Sequence, residues 1–204
     1  MRHIQNRAHG ISLRCAIVLL ALAGSAFAQQ KQPALDFKLD PATTAIHWTL
    51  NTTVHTVHGT FRLKDGGIHI DPATGNVAGL IVIDATSGES GDSSRDSRMH
   101  NVVLESAKYP TITFRPTHID GKFDLSLPGP IVVDGIMNLH GQDHSMQMTV
   151  DLHPRDAAIA SHTHFTIPFV AWGLKDPSVM MFRTDKQVAI DIDALAIHSP
   201  DSAR

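Results

Sequence analysis

Residues 146–153 read Met-Gln-Met-Thr-Val-Asp-Leu-His, so apolar and polar side chains alternate at every position. Residues 187–193, Gln-Val-Ala-Ile-Asp-Ile-Asp, keep nearly the same alternation, and Ile46, Trp48 and Leu50 alternate with polar neighbours. Successive side chains of a β-strand point to opposite faces of a sheet. These stretches therefore predict strands with one buried and one solvated face.

Outward from these segments, strand patterns and turn signals continue along most of the chain. Residues 76–86 are apolar at odd and even positions alike, which predicts a strand buried on both faces. Asp65-Gly66 is typical of a hairpin turn, and Asp71–Gly75 is typical of a second turn. The other predicted strands cover residues 53–63, 111–119, 131–140 and 162–170.

Residues 93–106 follow a helical pattern instead, and they predict one short amphipathic helix that ends before Tyr109-Pro110. Ser93 or Ser94 is the predicted N-cap. Many strands and a single helix indicate an all-β barrel or sandwich, and a closed barrel of about eight strands is wide enough to hold one small ligand. The apolar positions of the helix are Met99, Val102 and Val103.

The N-terminus is typical of an export signal. Residues 1–28 contain Arg2, Arg7 and Arg14 and no acid, then a short apolar run, then Ala26-Phe27-Ala28. We expect cleavage after Ala28 and a location in the periplasm or outside the cell. The apolar run is shorter than the ~20 residues that span a membrane, so no membrane span is expected.

Charge and cysteine content exclude further classes. The chain has a formal charge of −3, which becomes −6 without the three arginines of the signal. Such a balance argues against binding to nucleic acid and to anionic membrane surfaces, both of which require an excess of Lys and Arg. Cys15 is the single cysteine and precedes the cleavage point, so the mature chain has no disulfide, thiolate site or cysteine nucleophile.

Histidine is the most prominent polar residue type, with fourteen in the chain. His162-Thr-His164 has the spacing that places two imidazoles on one face of a strand, and His140 and His144 are further candidate ligands. No Glu follows Glu105, however, so a carboxylate ligand near the pair is lacking. We therefore expect no metal site and no cofactor.

Evidence for covalent catalysis is weak, because Gly88-Glu-Ser-Gly91 lacks the last glycine of the nucleophile elbow. Arg95-Asp96 is interpreted either as a local ion pair that fixes the helix or as a group that orients a ligand head. Apolar residues are more informative: they form either an ordinary core or the wall of a lumen, in which flexible Met suits a long apolar ligand. The methionines of the C-terminal half are Met137, Met146, Met148, Met180 and Met181.

Several short motifs occur in a distinctive order. They are Leu39–Trp48 (LDPATTAIHW), Val57–Phe61 (VHGTF), Ser94–His100 (SRDSRMH), Lys108–Phe114 (KYPTITF) and Val133–Gly141 (VDGIMNLHG). In this order they resemble the YceI-like family of lipocalin-like, polyisoprenoid-binding proteins. The resemblance implies a closed antiparallel barrel of eight strands with one short helix near residues 93–106. It also implies export and a long-chain amphiphile inside the barrel.

We thus expect a signal peptide over 1–28, a flexible lead-in over 29–36, the barrel over 37–197 and a disordered tail over 198–204. The expected function is to bind or carry a polyisoprenoid, an isoprenoid quinone or a fatty amide, without chemistry. The alternatives are a metal-dependent enzyme that uses His162 and His164, and a structural barrel filled by its own side chains. A homodimer stays open. The predicted ligand-binding residues are Arg95, His100 and His140 at the mouth, with Phe61, Ile83, Met99, Phe114, Met137, Phe165 and Trp172 as the lining.

Overall fold

A computed structural model describes residues 34–121, 124–156 and 158–199. The predicted signal peptide, residues 29–33 of the lead-in and residues 200–204 of the tail lie outside the described residues. The described part contains nine strand segments, one short α-helix and one π-helical stretch. They are β1 (Leu35–Leu39), β2 (Ala45–Asn51), β3 (Thr56–Asp71), β4 (Asn76–Glu89), α1 (Ser93–Arg98), the π-helical stretch Met99–Val103, β5 (Thr111–Asp120), β6 (Gly129–Leu139), β7 (Gln142–Arg155), β8 (Ala158–Ile167) and β9 (Val188–His198).

The nine segments form a closed barrel of eight strands. Their order in the sheet is β1-β3-β2-β9-β8-β7-β6-β5-β4, and a β3–β4 pairing closes the ring. Segments β1 and β2 both pair antiparallel with β3 and β9, β1 at the Ile70 end of β3 and β2 at the Thr56 end. They are therefore one barrel strand interrupted at residues 40–44. The predicted closed antiparallel barrel is confirmed.

The structure corrects one of the two turn predictions and confirms the other. Asp65-Gly66 lies inside β3, where the register to β4 shifts between Leu63 and Asp65. Gly66 lets the Leu39 side chain pack closely on the strand, because a Cβ at this position would lie 2.8 Å from Cδ1 of Leu39. Asp71–Gly75 is a turn as predicted: Gly75 has φ 73° and donates its N–H to the Asp71 carbonyl at 2.9 Å.

Strand β4 is not buried on both faces. Val77, Ile81 and Ile83 point into the barrel, whereas Leu80 is 44% exposed. The outer face of β4 at Ala78 and Leu80 is therefore exposed. The barrel limits also differ slightly from the prediction: β1 begins at Leu35 and β9 includes His198, so the lead-in and the tail each lose residues to strands.

The predicted helix over 93–106 is shorter and less regular. Helix α1 ends at Arg98, and the next five residues form a π-helical stretch. Its N-cap is Asp92 rather than Ser93 or Ser94. Asp92 has extended backbone angles, and its carboxylate accepts the Arg95 N–H at 2.9 Å, which satisfies a donor free at every helix start.

The barrel has two ends that differ in their connections. At one end, here called the base, residues 72–75, 121–128 and 156–157 join the strands. At the other end, here called the mouth, the connections are residues 52–55, the helical segment 90–110, the turn at 140–141 and the long segment 168–187. This difference between the two ends determines where the barrel lumen opens.

Candidate functional site: the barrel lumen

A cavity of about 710 Å³ occupies the barrel lumen. Each of the nine strand segments contributes side chains to its wall, and α1 lies over one side of the mouth. Its volume lies within the range typical of sites for small molecules. At the base its lining residues, such as Ile119 and Leu152, are buried, whereas at the mouth Val54 and Phe182 are largely exposed. The cavity is therefore closed at the base and open at the mouth.

The wall is almost entirely apolar because strand alternation directs one set of side chains inward. In β9, for example, Val188, Ile190 and Ile192 face the lumen while Asp191 and Asp193 face out. Between the base and the mouth, the polar lining residues of the described chain are Thr44, Ser161 and Thr163. Thr163 is itself satisfied, since its hydroxyl donates to the Thr149 carbonyl at 2.7 Å.

One glycine of the sequence motifs has a direct packing role in this wall. Trp48 of β2 lies opposite Gly59 of β3, and its indole ring covers the glycine. A Cβ at position 59 would overlap both this ring and the carbonyl oxygen of Glu89. Gly59 therefore allows a large aromatic side chain to lie flat on the barrel wall.

The charged side chains of the cavity lining lie at the mouth, and all of them are positive. The charged residues that line the cavity are Arg95, Arg98 and Arg183, with His55 beside them. Neither Asp nor Glu occurs among the lining residues of the described chain. A ligand that fills this lumen meets hydrocarbon over its length and guanidinium groups at its outer end.

Arg95 is held in place by its neighbours in the helical segment. Its Nε donates to the Ser90 hydroxyl at 2.7 Å and its Nη2 to the Ser90 carbonyl at 3.0 Å, while the Ser90 hydroxyl donates to Asp96. Ser90 thus links Arg95 to Asp96, and the predicted direct ion pair between the two does not form. The fixed guanidinium lies at the cavity wall.

Seven of the ten predicted ligand-binding residues line this one cavity, from five strands and the helical segment. The alternation within strands and the helical spacing are sufficient to place them on the inside. They are Phe61, Ile83, Arg95, Met99, Phe114, Met137 and Phe165.

Two predicted mouth residues, His100 and His140, are not part of the cavity lining. His100 hydrogen-bonds the Gly88 carbonyl at 2.8 Å and the Ser106 hydroxyl at 2.9 Å, so it fixes the helical segment to β4. His140, with Gly141, forms the two-residue turn between β6 and β7, with φ 53° and 76°. His140 also lies 2.6 Å from the Glu105 carboxylate, outside the lumen.

Trp172 is the third predicted residue that lies elsewhere. Its ring stacks on His144 with centroids 4.1 Å apart and planes 2° apart. The stack joins the long segment 168–187 to β7. Trp172 therefore stabilises the mouth from outside the cavity, because the segment turns at Pro168–Gly173 and carries the ring away from the lumen.

The histidine pair of β8 points away from the lumen. His162 lies 2.9 Å from Asp193 and His164 lies 2.7 Å from Asp191, across the β8–β9 ladder on the outer face. Within the described ranges, no three His, Cys, Asp or Glu side chains are grouped so that they could hold a metal ion.

The sequence analysis did not predict the part of the mouth that Arg98 and the segment 168–187 form. Arg98, Arg183, Val179 and Phe182 all line the cavity, although the last three come from a segment with no strand or helix pattern. Met180 and Met181, which were grouped with the candidate lining methionines, are exposed instead. The one available indication was the run Val-Met-Met-Phe-Arg at 179–183, which is unusually apolar for a long connection.

Among the described residues, the lining contains one histidine and no Asp, Glu, Lys, Cys or Tyr. The cavity surface therefore presents neither a carboxylate nor a thiolate to a bound molecule. Hydrocarbon contact along the wall and hydrogen bonds from arginine at the mouth are the interactions that it provides. In the described chain, no helix has the length and hydrophobicity that a membrane crossing requires.

Solved structures with the same fold are similar to the chain. One is BcnA of Burkholderia cenocepacia (16% identity, TM-score 0.64, covering 77% of this chain and 98% of that one). Another is a polyisoprenoid binding domain from Saccharophagus degradans implicated in plant cell wall breakdown (17% identity, TM-score 0.60, covering 81% and 99%). A third is the YceI protein of Campylobacter jejuni (16% identity, TM-score 0.51, covering 68% and 84%).

A comparison with curated proteins gives no match. The sequence model of the YceI-like domain, in contrast, matches residues 37–196, which is nearly the whole barrel. The match starts in β1 and ends in β9, so it covers every strand that surrounds the cavity. The chain therefore belongs to the YceI-like family.

Proposed function

We propose that the protein binds a long-chain amphiphile in the barrel lumen and carries it without making or breaking bonds. The observation that carries this proposal is the apolar cavity of about 710 Å³, closed at the base and open at a mouth that contains Arg95, Arg98 and Arg183. The apolar tail would extend towards the base. The polar head would remain at the mouth, close to the arginines.

The physical chemistry of the wall favours such a ligand. Transfer of each methylene from water to an apolar site contributes ~0.8 kcal/mol, so a long chain binds tightly without polar contacts along its length. A few polar groups at one end are sufficient to fix its orientation. A barrel filled by its own side chains, the structural alternative, would leave no cavity of this volume.

The relatives support a lipid of isoprenoid type. The Saccharophagus degradans structure of the same fold is a polyisoprenoid binding domain. An isoprenoid, an isoprenoid quinone or a fatty amide is therefore the ligand class proposed for this chain. The metal-dependent alternative gains no support from His162 and His164, which lie on the outer face beside aspartates.

Export is the second part of the proposal, and it is supported by the sequence of residues 1–28 alone. N-terminal sequencing of the protein from the cell envelope fraction should begin at or near Gln29. An intact Met1 on a cytoplasmic product would contradict export and would leave ligand binding unaffected.

The direct test of ligand binding is organic extraction of the purified protein followed by mass spectrometry. Ligand present at a hundredfold excess over its Kd stabilises the folded state by about 2.7 kcal/mol. Each kcal/mol shifts the Tm of a domain of this size by roughly 2–4 °C, so delipidated protein should melt about 5–11 °C lower than loaded protein. If no lipid is extracted and added isoprenoids or fatty amides leave the Tm unchanged, the proposal is wrong.

A further inference from the structure

We propose that the mouth of the barrel docks onto the surface of a lipid bilayer that contains anionic phospholipid. The docking surface is the rim patch, defined as Val54 and residues 179–182, together with Arg98 and Arg183. The proposal rests on the proposed function in one respect: the bilayer is the place where the lumen takes up or releases its ligand.

The rim patch collects most of the exposed apolar surface of the described chain. Of its eight large apolar side chains that are exposed, five belong to the patch. Met180 is 98% exposed and Met181 is 85% exposed. Such a concentration of apolar groups at one place on a protein surface marks an interaction site.

The patch is one continuous surface because two connections of the mouth are bonded together. Thr53 donates its N–H to the Arg183 carbonyl at 2.9 Å, and Thr52 forms a β-bridge with Thr184. Val54 therefore lies beside the 179–182 hairpin. On its other side, Arg98 of α1 donates to the Pro177 carbonyl at 3.4 Å, so the helix also joins the rim.

The hairpin itself presents its apolar tip outward. Val179 and Phe182 exchange backbone hydrogen bonds of 3.0 and 2.8 Å, which leaves Met180-Met181 as the two residues of the turn. Met180 has φ 47°, a left-handed conformation that turns normally assign to Gly, Asn or Asp. Two methionines at a strained and fully exposed turn are unfavourable in water but well suited to contact with acyl chains.

The chain is acidic overall, but the charges beside the patch are basic and match an anionic membrane surface. In the part of the chain that the structure describes, neither Arg98 nor Arg183 forms an ion pair. The carboxylate of Asp176, at the foot of the hairpin, is paired with Lys186, and Asp185 is the other acid of this segment. Basic groups beside an exposed apolar surface are typical of interfacial membrane binding.

The position of the rim patch relative to the cavity favours a bilayer over a second copy of the chain as the docking partner. Val54, Val179, Phe182 and Arg183 belong to both the rim patch and the cavity lining. Docking on a bilayer would therefore place the open mouth against the acyl chains and spare the ligand a passage through water. In a symmetric dimer the patch would face itself, and Arg98 and Arg183 would meet the same cations of the partner.

The test is flotation of the full chain with vesicles of phosphatidylcholine alone and of phosphatidylcholine with phosphatidylglycerol at three to one. The double variant Met180→Ser/Met181→Ser alters the tip without touching the cavity lining. Leu127→Ser is the matched control, because Leu127 is 59% exposed in the loop 121–128 at the base. Ligand retention is measured in the same samples by extraction and mass spectrometry.

We expect the wild type and Leu127→Ser to float with the anionic vesicles, and the double variant to partition about tenfold less while it keeps its ligand. Arg98→Gln/Arg183→Gln should weaken binding to anionic vesicles only, and added salt should do the same. Docking is overturned if the wild type does not bind vesicles, if the double variant binds equally well, or if the patch forms a dimer instead. If the wild type binds vesicles but yields no lipid on extraction, and if added isoprenoids or fatty amides leave its Tm unchanged, the proposed function is refuted and docking stands.

Discussion

The base and the mouth of the barrel are built from the same strands but have opposite surfaces. At the base, acidic residues act as turn residues: Asp71 accepts the Ala73 N–H at 3.0 Å, and Asp124 accepts the N–H and the hydroxyl of Ser126 at 2.8 and 2.6 Å. These two aspartates follow the rules for stable turns. At the base the apolar side chains are mostly inside.

At the mouth, long connections place apolar side chains and arginines outside. The segment 168–187 and the loop at 52–55 expose Val54 and the Val-Met-Met-Phe tip. Such surfaces add nothing to folding, because they bury little area in the isolated chain. The base thus follows the ordinary rules for turns, whereas the mouth exposes the apolar and basic groups on which the proposed binding functions depend.

The largest effect is expected from filling the lumen towards the base. Ala194 lines the cavity in the base half of β9, so Ala194→Phe should occupy the space of the ligand tail and reduce binding at least tenfold. Ala189→Phe is the control, because Ala189 alternates with lining residues and faces out. Extracted lipid per protein is the measurement. Equal retention in both variants would show that the tail does not reach the base.

A second comparison concerns two glycines of β3. Gly59→Ala, near the mouth, would force a Cβ into the Trp48 ring and a backbone carbonyl, and it should destabilise the fold by about 3 kcal/mol. Gly66→Ala, towards the base, meets only the flexible Leu39 side chain, and it should cost about 1 kcal/mol or less. Thermal unfolding should show a Tm decrease of about 6–12 °C for the first variant. A smaller decrease for Gly59→Ala than for Gly66→Ala would contradict this view of the wall.

A third comparison uses two aspartates, one at each end of the barrel, whose side chains accept a backbone N–H. Asp92→Ala removes the N-cap of α1 at the mouth and should destabilise the helix by about 1 kcal/mol. Asp71→Ala removes the equivalent turn contact at the base. Hydrogen exchange should accelerate locally in residues 93–99 of the first variant and leave the base unchanged. Acceleration over the whole barrel would mean that α1 is part of the core.

The smallest effect is expected from acid. The Lys186 ammonium and the Ser178 hydroxyl hold the pKa of Asp176 at the mouth far below its usual value. The Ser126 hydroxyl and N–H lower the pKa of Asp124 at the base to a lesser degree. Both pKa values are depressed in the folded state, so the stability that they contribute is present above pH ~4 and is lost as the pH falls through the folded value.

Asp124 should therefore titrate before Asp176 when the pH is lowered. NMR titration of the side-chain carboxyl carbons measures both in one experiment, and Asp176→Asn identifies its resonance. If Asp176 titrates at the same pH as Asp124, the ion pair with Lys186 does not persist in solution.

Local patterns were sufficient to predict most of the strands, although not β1, and most of the lumen. Alternation in β2, β7 and β9 assigns Trp48, Val150 and Ile190 to the inner face, and the structure confirms each of them. The pattern was uninformative in β4, because both of its faces are apolar. There the pairing of Ile83 with Ile112 of β5, and the register between β3 and β4, decide which side chains point inward. The turn signals also misassigned Asp65-Gly66, because a β-bulge and a hairpin turn use the same residue types.

The candidate site was predicted only where it lies on regular elements. Phe61, Phe114 and Phe165 belong to strands, and strand parity places them inside. His100, His140 and Trp172 lie in irregular segments, where the direction of a side chain depends on contacts with distant residues such as Glu105 and His144. No local pattern contains such contacts.

The sequence by itself therefore determined the class of fold, the inward face of most strands and the presence of a single cysteine, Cys15, because these follow from local spacing and composition. Tertiary structure alone decided that β1 and β2 share one barrel position, that the lumen stays open, and that Val54 and residues 179–182 form one surface beside Arg98. These features depend on pairings such as Thr53 with Arg183, which are 130 residues apart. The free energy of such long-range contacts is set by closure of the whole barrel and not by any segment alone.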